Sequence, residues 1–464
     1  MDVLLSHAYF IADDVHEQRV MKPYPPLGIL YIAAYLERAG FAVAVDDATF
    51  GTRAALHARL AAREAPVLGL YVNLTTRVSA LDLVARAKVH GWRVVLGGPE
   101  PANHADAYLE HGADVVVFGE GEEAMAELLP ALAARGPEAL HAVAGIAFRD
   151  GDGVVVRTAP RPKIADLDAL PWPAREAIDI QAYLDCWRTH HGASSINLIT
   201  ARGCPYRCRW CSHAVFGYHH ARRSPDDVAD EVAFLSDRYA PDQLWFADDV
   251  FTIHPGWLRR FARAMAARGL AIPFECITRA DRVDDETVAL MRQLGCYRVW
   301  LGSESGSQRI LDAMERGVRV EQVRAATRRF QDAGISVGMF LMWGYDGETE
   351  ADIEATIDHA RRTLPDVVLT TVAYPIAGTP YAAAVADRSQ PTRAWAEGTD
   401  RDVVIAGRHS ARYYRYVARR LQHEVAAARL ERDRPGALVA RARAAAGALG
   451  ARVGARLAAR EVEA

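Results

Sequence analysis

Residues 196–211 read INLITARGCPYRCRWC, and the architecture of the second half of the chain follows from them. The apolar run Ile196–Thr200 suits a short strand buried on both faces of a parallel sheet. The loop leaving it carries Cys204, Cys208 and Cys211, at spacings of four and three residues. Thiolates are the ligands that iron–sulfur clusters need, and a short loop brings three of them around one cube. A cubane has four irons, so three protein ligands leave one iron open to a small molecule. Gly203 allows a close turn before the first ligand, and Trp210 supplies apolar cover. The competing reading of these residues is structural zinc, with His213 as a fourth ligand. Zinc ribbons usually present two separated cysteine pairs, and this chain has no second pair.

Downstream, short apolar strands alternate with helical segments. The strands are Gln243–Phe246, Phe274–Thr278, Val299–Gly302, Val337–Met342 and Val367–Tyr374. Between them lie helical stretches such as Pro225–Tyr239, Pro255–Arg268, Asp285–Leu294 and Glu350–Thr363. Six βα units in order predict a partial (β/α)6 TIM-type barrel over residues 191–385, with its site at the strand C-termini. From about 386 the composition shifts toward Ala and Arg with helical periodicity, so 386–464 is expected to be a C-terminal helical region. Its basic face reads as the solvated side of capping helices rather than as a lipid or acidic-partner surface.

Upstream, the prolines at 160, 162, 171 and 173 make 149–190 a hairpin and linker. Residues 1–148 read as another alternating series, a Rossmann-like doubly wound parallel sheet. Its strands Val67–Val72, Val94–Gly98 and Val115–Gly119 alternate with helical stretches such as Thr76–His90 and Glu122–Ala134. These strands end in polar or glycine-rich turns, where open α/β sheets bind ligands. That places Asn73, Thr75 and Thr76, then Gly97 and Gly98, then Gly119 and Glu120, as candidate contacts. His104 and His111 read as surface or interface residues.

The chain has 464 residues and is half apolar and one quarter charged, which is the composition of two or three globular domains. Its net charge of −4 gives no nucleic-acid footprint. Three of the six cysteines crowd together, while Cys186, Cys276 and Cys296 are scattered, a layout of metal site rather than disulfide framework. The N-terminal MDVLLSHAYFIADD lacks a basic leader, and no apolar run approaches the roughly 18 residues needed to span a bilayer. A cytoplasmic protein is expected.

Cys-x3-Cys-x2-Cys directly after a first strand resembles the radical SAM superfamily. Later segments resemble it in order: Trp245–Asp249 (WFADD), Cys276–Asp281 (CITRAD), Gly302–Gly306 (GSESG), Gly338–Glu348 (GMFLMWGYDGE) and Ala373–Pro380 (AYPIAGTP). The resemblance implies a [4Fe-4S] cluster on Cys204, Cys208 and Cys211, with S-adenosylmethionine chelating the open iron. An electron from the cluster would then release a 5′-deoxyadenosyl radical that abstracts hydrogen from substrate. It further implies Glu304 on the ribose or amino group and Arg279 on the carboxylate, with Asp248 at the acidic second strand end and Trp210 beside the cofactors. A barrel-mouth ion pair of Arg279 with Asp248 or Asp281 is the other reading of those charges.

The stretch Pro25–Leu36 (PPLGILYIAAYL), with Gly97-Gly98-Pro99-Glu100 and Gly119-Glu120-Gly121-Glu122, resembles the cobalamin-binding domains fused to such barrels. No Asp-x-His-x-x-Gly motif is present, which implies cobalamin held without a protein histidine. The combined resemblance implies a cobalamin-dependent methyltransferase acting on an unactivated carbon or phosphorus centre. A small-molecule substrate (a natural-product, lipid or tetrapyrrole precursor) and an external electron donor such as flavodoxin or ferredoxin go with it. The alternatives are a radical cyclase or rearrangement enzyme, and a non-enzymatic iron–sulfur electron-transfer or sensing protein. A methylthiotransferase is disfavoured, since no cysteine precedes residue 186 to hold a second cluster.

Overall fold

A computed structural model describes residues 1–134 and 138–463. The first sheet has seven strands in the order β2-β1-β3-β4-β5-β6-β7. These are β1 Val3–His7, β2 Val43–Asp46, β3 Val67–Tyr71, β4 Arg93–Gly97, β5 Val115–Val117, β6 Ile146–Arg149 and β7 Val155–Arg157. The first five are parallel, and the last two add an antiparallel hairpin. Helices cover both faces, so this is the expected doubly wound sheet. The order reverses between β1 and β3, the position where such sheets open a crevice. β1 and β2 have no counterpart among the strands expected from the sequence.

The second sheet holds six parallel strands that follow one another in chain order. They are β8 Ser195–Leu198, β11 Gln243–Phe246, β12 Phe274–Thr278, β13 Cys296–Glu304, β14 Ser336–Trp343 and β15 Val367–Val372. A two-stranded ribbon, β9 Ala201–Arg202 with β10 Ala221–Arg222, brackets the cysteine loop. Its helices start where local chemistry demands: Ser224 caps Pro225–Tyr239 through the amide of Asp227, with proline at the first position. Their inner faces meet the sheet in one core in which the rings of Phe246 and Phe274 pack edge to face at 4.9 Å. Each such buried ring contributes about 2–3 kcal/mol.

β8 is an edge strand, and the N-terminal domain covers it. The Asn197 side-chain amide donates to the Pro25 carbonyl at 3.0 Å, and Trp187 Nε1 donates to that of Pro23 at 2.8 Å. Tyr183 ties the linker helix Ile180–His191 to Asp47 at 2.9 Å and to Thr49 at 2.8 Å. An edge covered in this way cannot template aggregation.

The stretch 386–410 is not helical throughout, as the reading of 386–464 had it. It forms a hairpin, β16 Ser389–Pro391 with β17 Val403–Ile405, whose connection returns to the first domain. There Asp400 meets Arg77 at 2.5 Å, and Trp395 packs beneath the same guanidinium. His104 sits in this junction, 3.4 Å from Asp400, so it is an interface residue. The helical tail proper consists of Ala411–Asp433 and Leu438–Ala458.

Candidate active site

The C-terminal ends of both sheets open into one cavity of about 590 Å³. Cys204, Cys208, Cys211 and Trp210 line it from the barrel side, and Gly97, Gly98, Gly119 and Glu120 from the other. Gly203 turns with φ +81, and a Cβ there would lie 2.3 Å from the carbonyl oxygen of His219. Only glycine allows the cysteine loop to fold so closely on itself.

Two guanidiniums face the central thiol. Arg316 lies 3.6 Å and Arg279 3.8 Å from Cys208 Sγ. Arg279 is held by Asp281 at 2.9 Å and by the Arg316 carbonyl at 2.8 Å, with Tyr206 stacked 3.6 Å beneath it. Arg279 thus forms the barrel-mouth ion pair with Asp281, and it also lines the cavity. Burial pushes the Cys204 and Cys208 thiols above their usual range, and desolvation with nearby Asp249 pushes Cys211 up to about 12. Such thiols give up their protons when a cation takes their place.

The three sulfurs are not all within 4.8 Å of one another. Tetrahedral zinc would bring its thiolates to about 3.8 Å apart, whereas a four-iron cube spaces them more widely. The Nδ1 of His213 hydrogen-bonds to the Gly217 carbonyl at 3.1 Å and its Nε2 has no partner, so the spacing of the sulfurs, and not this histidine, decides against zinc. The donor set fits the cluster.

Glu304 reaches the cavity through a bulge. The pairing of β13 with β14 slips between Gly302 and Glu304, and Glu304 takes φ +62. Bulges commonly re-aim a side chain beside an active site. The intervening Ser303 turns inward onto His359 Nε2 at 3.1 Å, while Arg324 donates to Nδ1 at 3.3 Å. His359 thus carries its proton on Nε2 and anchors the bulge. Burial pushes the Glu304 carboxyl up to about 8 against the pull of Arg279.

Burial and Arg324 hold the His359 imidazole down at about 3, so it stays neutral. The unfolded chain takes up a proton there below about pH 6.5, and the fold refuses it until about pH 3. Stability is therefore complete above pH 6.5 and falls by up to about 1.4 kcal/mol per pH unit below it. His359→Gln removes that part of the acid sensitivity, which thermal midpoints at pH 7 and pH 4.5 measure as a smaller difference than in the parent.

Asp248 does not line the cavity. It accepts the amides of Thr200 at 2.7 Å and Ala201 at 3.1 Å, and it pairs with Arg222 at 3.3 Å. It braces the strand that launches the cysteine loop, and its neighbour Asp249 faces the cavity instead. Asn73, Thr75 and Thr76 also stand outside the lining. The Asn73 side chain accepts from the Thr75 amide at 3.0 Å, and Thr76 Oγ1 accepts from the Asn73 amide, also at 3.0 Å. Their polarity serves the start of the helix Arg77–Val89.

Between the domains, Arg202 donates to Glu120 at 2.9 Å and to Glu122 at 2.5 Å. All three side chains are under a tenth exposed. Glu120 is thus a clamp as well as a cavity residue. Arg202 and Arg316 escaped the sequence reading, since nothing local marks an arginine whose partner lies 80 or 108 residues away.

Gly97 and Gly98 form a cradle. At Gly98, with φ +106, a Cβ would lie 2.5 Å from the Val72 carbonyl, while at Gly97 a Cβ would meet nothing within 4 Å. A flat group can therefore lie against this backbone, beside Tyr71 and Gly28, and the residues fit a large planar cofactor.

Residues 198–360 match the radical SAM superfamily, and residues 19–129 match the B12 binding domain. The chain carries a radical SAM domain and a B12-binding domain. Its cofactors are those of the two domains: a [4Fe-4S] cluster, S-adenosylmethionine and cobalamin. It is 28% identical over 396 residues to an uncharacterized methyltransferase of Pyrococcus horikoshii, covering 83% of this chain and 84% of that protein. It is 30% identical over 323 residues to the anaerobic magnesium-protoporphyrin IX monomethyl ester cyclase of Synechocystis sp., covering 67% of this chain and 63% of the cyclase. Its fold is similar to that of the radical S-adenosylmethionine methyltransferase TsrM from Kitasatospora setae, solved with cobalamin and a [4Fe-4S] cluster bound. The TM-score is 0.70 at 21% identity, covering 85% of this chain and 81% of TsrM. No described helix is long and apolar enough to cross a membrane.

Proposed function

We propose that this radical SAM enzyme is a cobalamin-dependent methyltransferase acting on an unactivated carbon of a small biosynthetic intermediate. One observation carries the reading: the three cluster cysteines and the Gly97–Gly98 cradle open into the same cavity. When bound, the cluster with S-adenosylmethionine supplies a hydrogen-abstracting radical, and cobalamin supplies a methyl carrier. The protein's part is to hold these groups together and keep water out. Arg279 and Arg316 balance the thiolate charge at Cys208. Glu304 offers an acceptor to an amino or ribose group, and a bound cation beside it would restore its ionised form. Trp210, Ile32, Met125 and Phe340 give the cavity apolar walls suited to a natural-product, lipid or tetrapyrrole precursor. The electron comes from an external donor such as flavodoxin or ferredoxin, and free cysteines on this scale belong in a reducing cytoplasm.

Anaerobic reconstitution with iron, sulfide and hydroxocobalamin, followed by S-adenosylmethionine and a strong reductant, tests this. The expected result is 5′-deoxyadenosine, retained cobalamin absorbance and a product one methyl group heavier. Similarity to the Synechocystis cyclase favours the second reading, a radical cyclisation or rearrangement, in which the product gains no carbon. An electron-transfer or sensing protein would show no change in its cluster spectrum on adding S-adenosylmethionine.

Gly97→Val isolates the cradle. The added side chain enters open space, so stability should stay within about 0.5 kcal/mol of the parent. Cobalamin retained after gel filtration should fall at least about tenfold, because the isopropyl group fills the open space at Gly97 against which the cofactor would lie. Unchanged retention would remove Gly97 from the cofactor site.

A further inference from the structure

The C-terminal helix Leu438–Ala458 reverses the usual distribution of a surface helix. Its inner face is made of small residues. Ala444, Ala451, Ala455 and Ala458 are buried, and Gly447 and Gly454 admit His423 and Tyr416 of the preceding helix. Its outer face carries the large apolar side chains: Leu438, Val439, Leu449, Val453 and Leu457 are 48–77% exposed. Leu449, Val453 and Leu457 recur every fourth residue and form one stripe.

Arginines flank and interrupt that stripe. Residues 434–460 contain Arg434, Arg441, Arg443, Arg452, Arg456 and Arg460, with no aspartate or glutamate among them. Arg441 reaches Glu431 at 3.3 Å, but Arg443, Arg452, Arg456 and Arg460 form no ion pair among the described residues. A side that merely faced water would have no use for such a row of apolar groups. A second copy of this helix would set arginine against arginine. The complement of an apolar stripe edged with unpaired cations is a plane of acyl chains beneath anionic headgroups.

We propose that this helix docks the protein on an anionic lipid surface. The helix lies in the interfacial plane, with Leu449, Val453 and Leu457 in the acyl boundary and Arg452, Arg456 and Arg460 at the phosphates. The contact is peripheral, since no described helix can span the bilayer.

Flotation of the reconstituted full-length protein with vesicles tests this, using equimolar phosphatidylglycerol and phosphatidylcholine against phosphatidylcholine alone. Binding is expected to the mixed vesicles, to weaken with salt, and to be nearly absent on the neutral ones. The triple variant Leu449→Ser, Val453→Ser, Leu457→Ser should lower the partition coefficient at least about tenfold. The double variant Arg452→Gln, Arg456→Gln should lower it by about tenfold and flatten the salt dependence. Because these side chains face solvent, melting temperatures and iron content should not change. No flotation at low salt would overturn the proposal, as would equal flotation of parent and triple variant. A lipid-free dimer that the triple variant dissociates would overturn it too, assigning the face to a second copy.

Discussion

Replacing Cys208 with alanine is expected to abolish both cluster retention and 5′-deoxyadenosine formation, while the polypeptide stays folded. Cys208 is the middle cysteine of the loop and the one that both Arg279 and Arg316 face. Its loss leaves two thiolates for a four-iron cube and two buried guanidiniums without the charge they balance. Fold survival rests on the core beneath the loop, which does not involve the cysteine. Iron and sulfide content, the visible absorbance of the cluster and deoxyadenosine release should all fall to background. Cys276→Ala is the control. That thiol is fully buried on β12 and lies outside the cavity lining. Its removal should cost about 1 kcal/mol of stability and leave iron content unchanged. If Cys208→Ala kept its iron and Cys276→Ala lost it, the ligand assignment would be wrong.

The second large effect is on stability. Arg202→Met should destabilise the protein by about 3–5 kcal/mol, because it strands Glu120 and Glu122 in a domain interface from which water is excluded. The Arg202 guanidinium also lies 5.1 Å from the Tyr31 ring, so the loss includes packing on the helix Leu27–Arg38. The triple variant Arg202→Met, Glu120→Gln, Glu122→Gln should recover most of the loss, since no uncompensated charge remains. Denaturant midpoints of the three proteins measure this directly. The single variant should also lose bound cobalamin, because two unpaired carboxylates left in the interface drive apart the two walls of the cavity. A single variant as stable as the parent would mean that water reaches the interface.

Much of the architecture was legible from local pattern. The strand ends at Phe246 and Thr278, the helix starts at Pro225 and Glu350, and the cysteine loop after β8 fall where the reading put them. Each depends on chemistry within a few residues: a buried apolar run, a capping hydroxyl, a proline at a first turn. Polar residues at strand ends were less informative. Asn73, Thr75 and Thr76 are satisfied by one another, and Asp248 by the backbone of the neighbouring strand, whereas Asp249, one residue on, faces the cavity. A step of one residue at a strand end turns a side chain from one face to the other, and composition does not say which.

The sequence by itself determined the two α/β series and the three-cysteine loop between strand and helix, because a Cys-x3-Cys-x2-Cys loop and two alternating βα series are encoded by neighbours along the chain. Only the tertiary structure decided what surrounds the cysteines. Arg316 behind Cys208, His359 behind the Glu304 bulge, the clamp of Arg202 on Glu120 and Glu122, and the single cavity shared by both sheets join residues tens to more than a hundred positions apart. Those contacts follow from how two sheets twist and dock, a property of the whole packed chain that no local stretch contains.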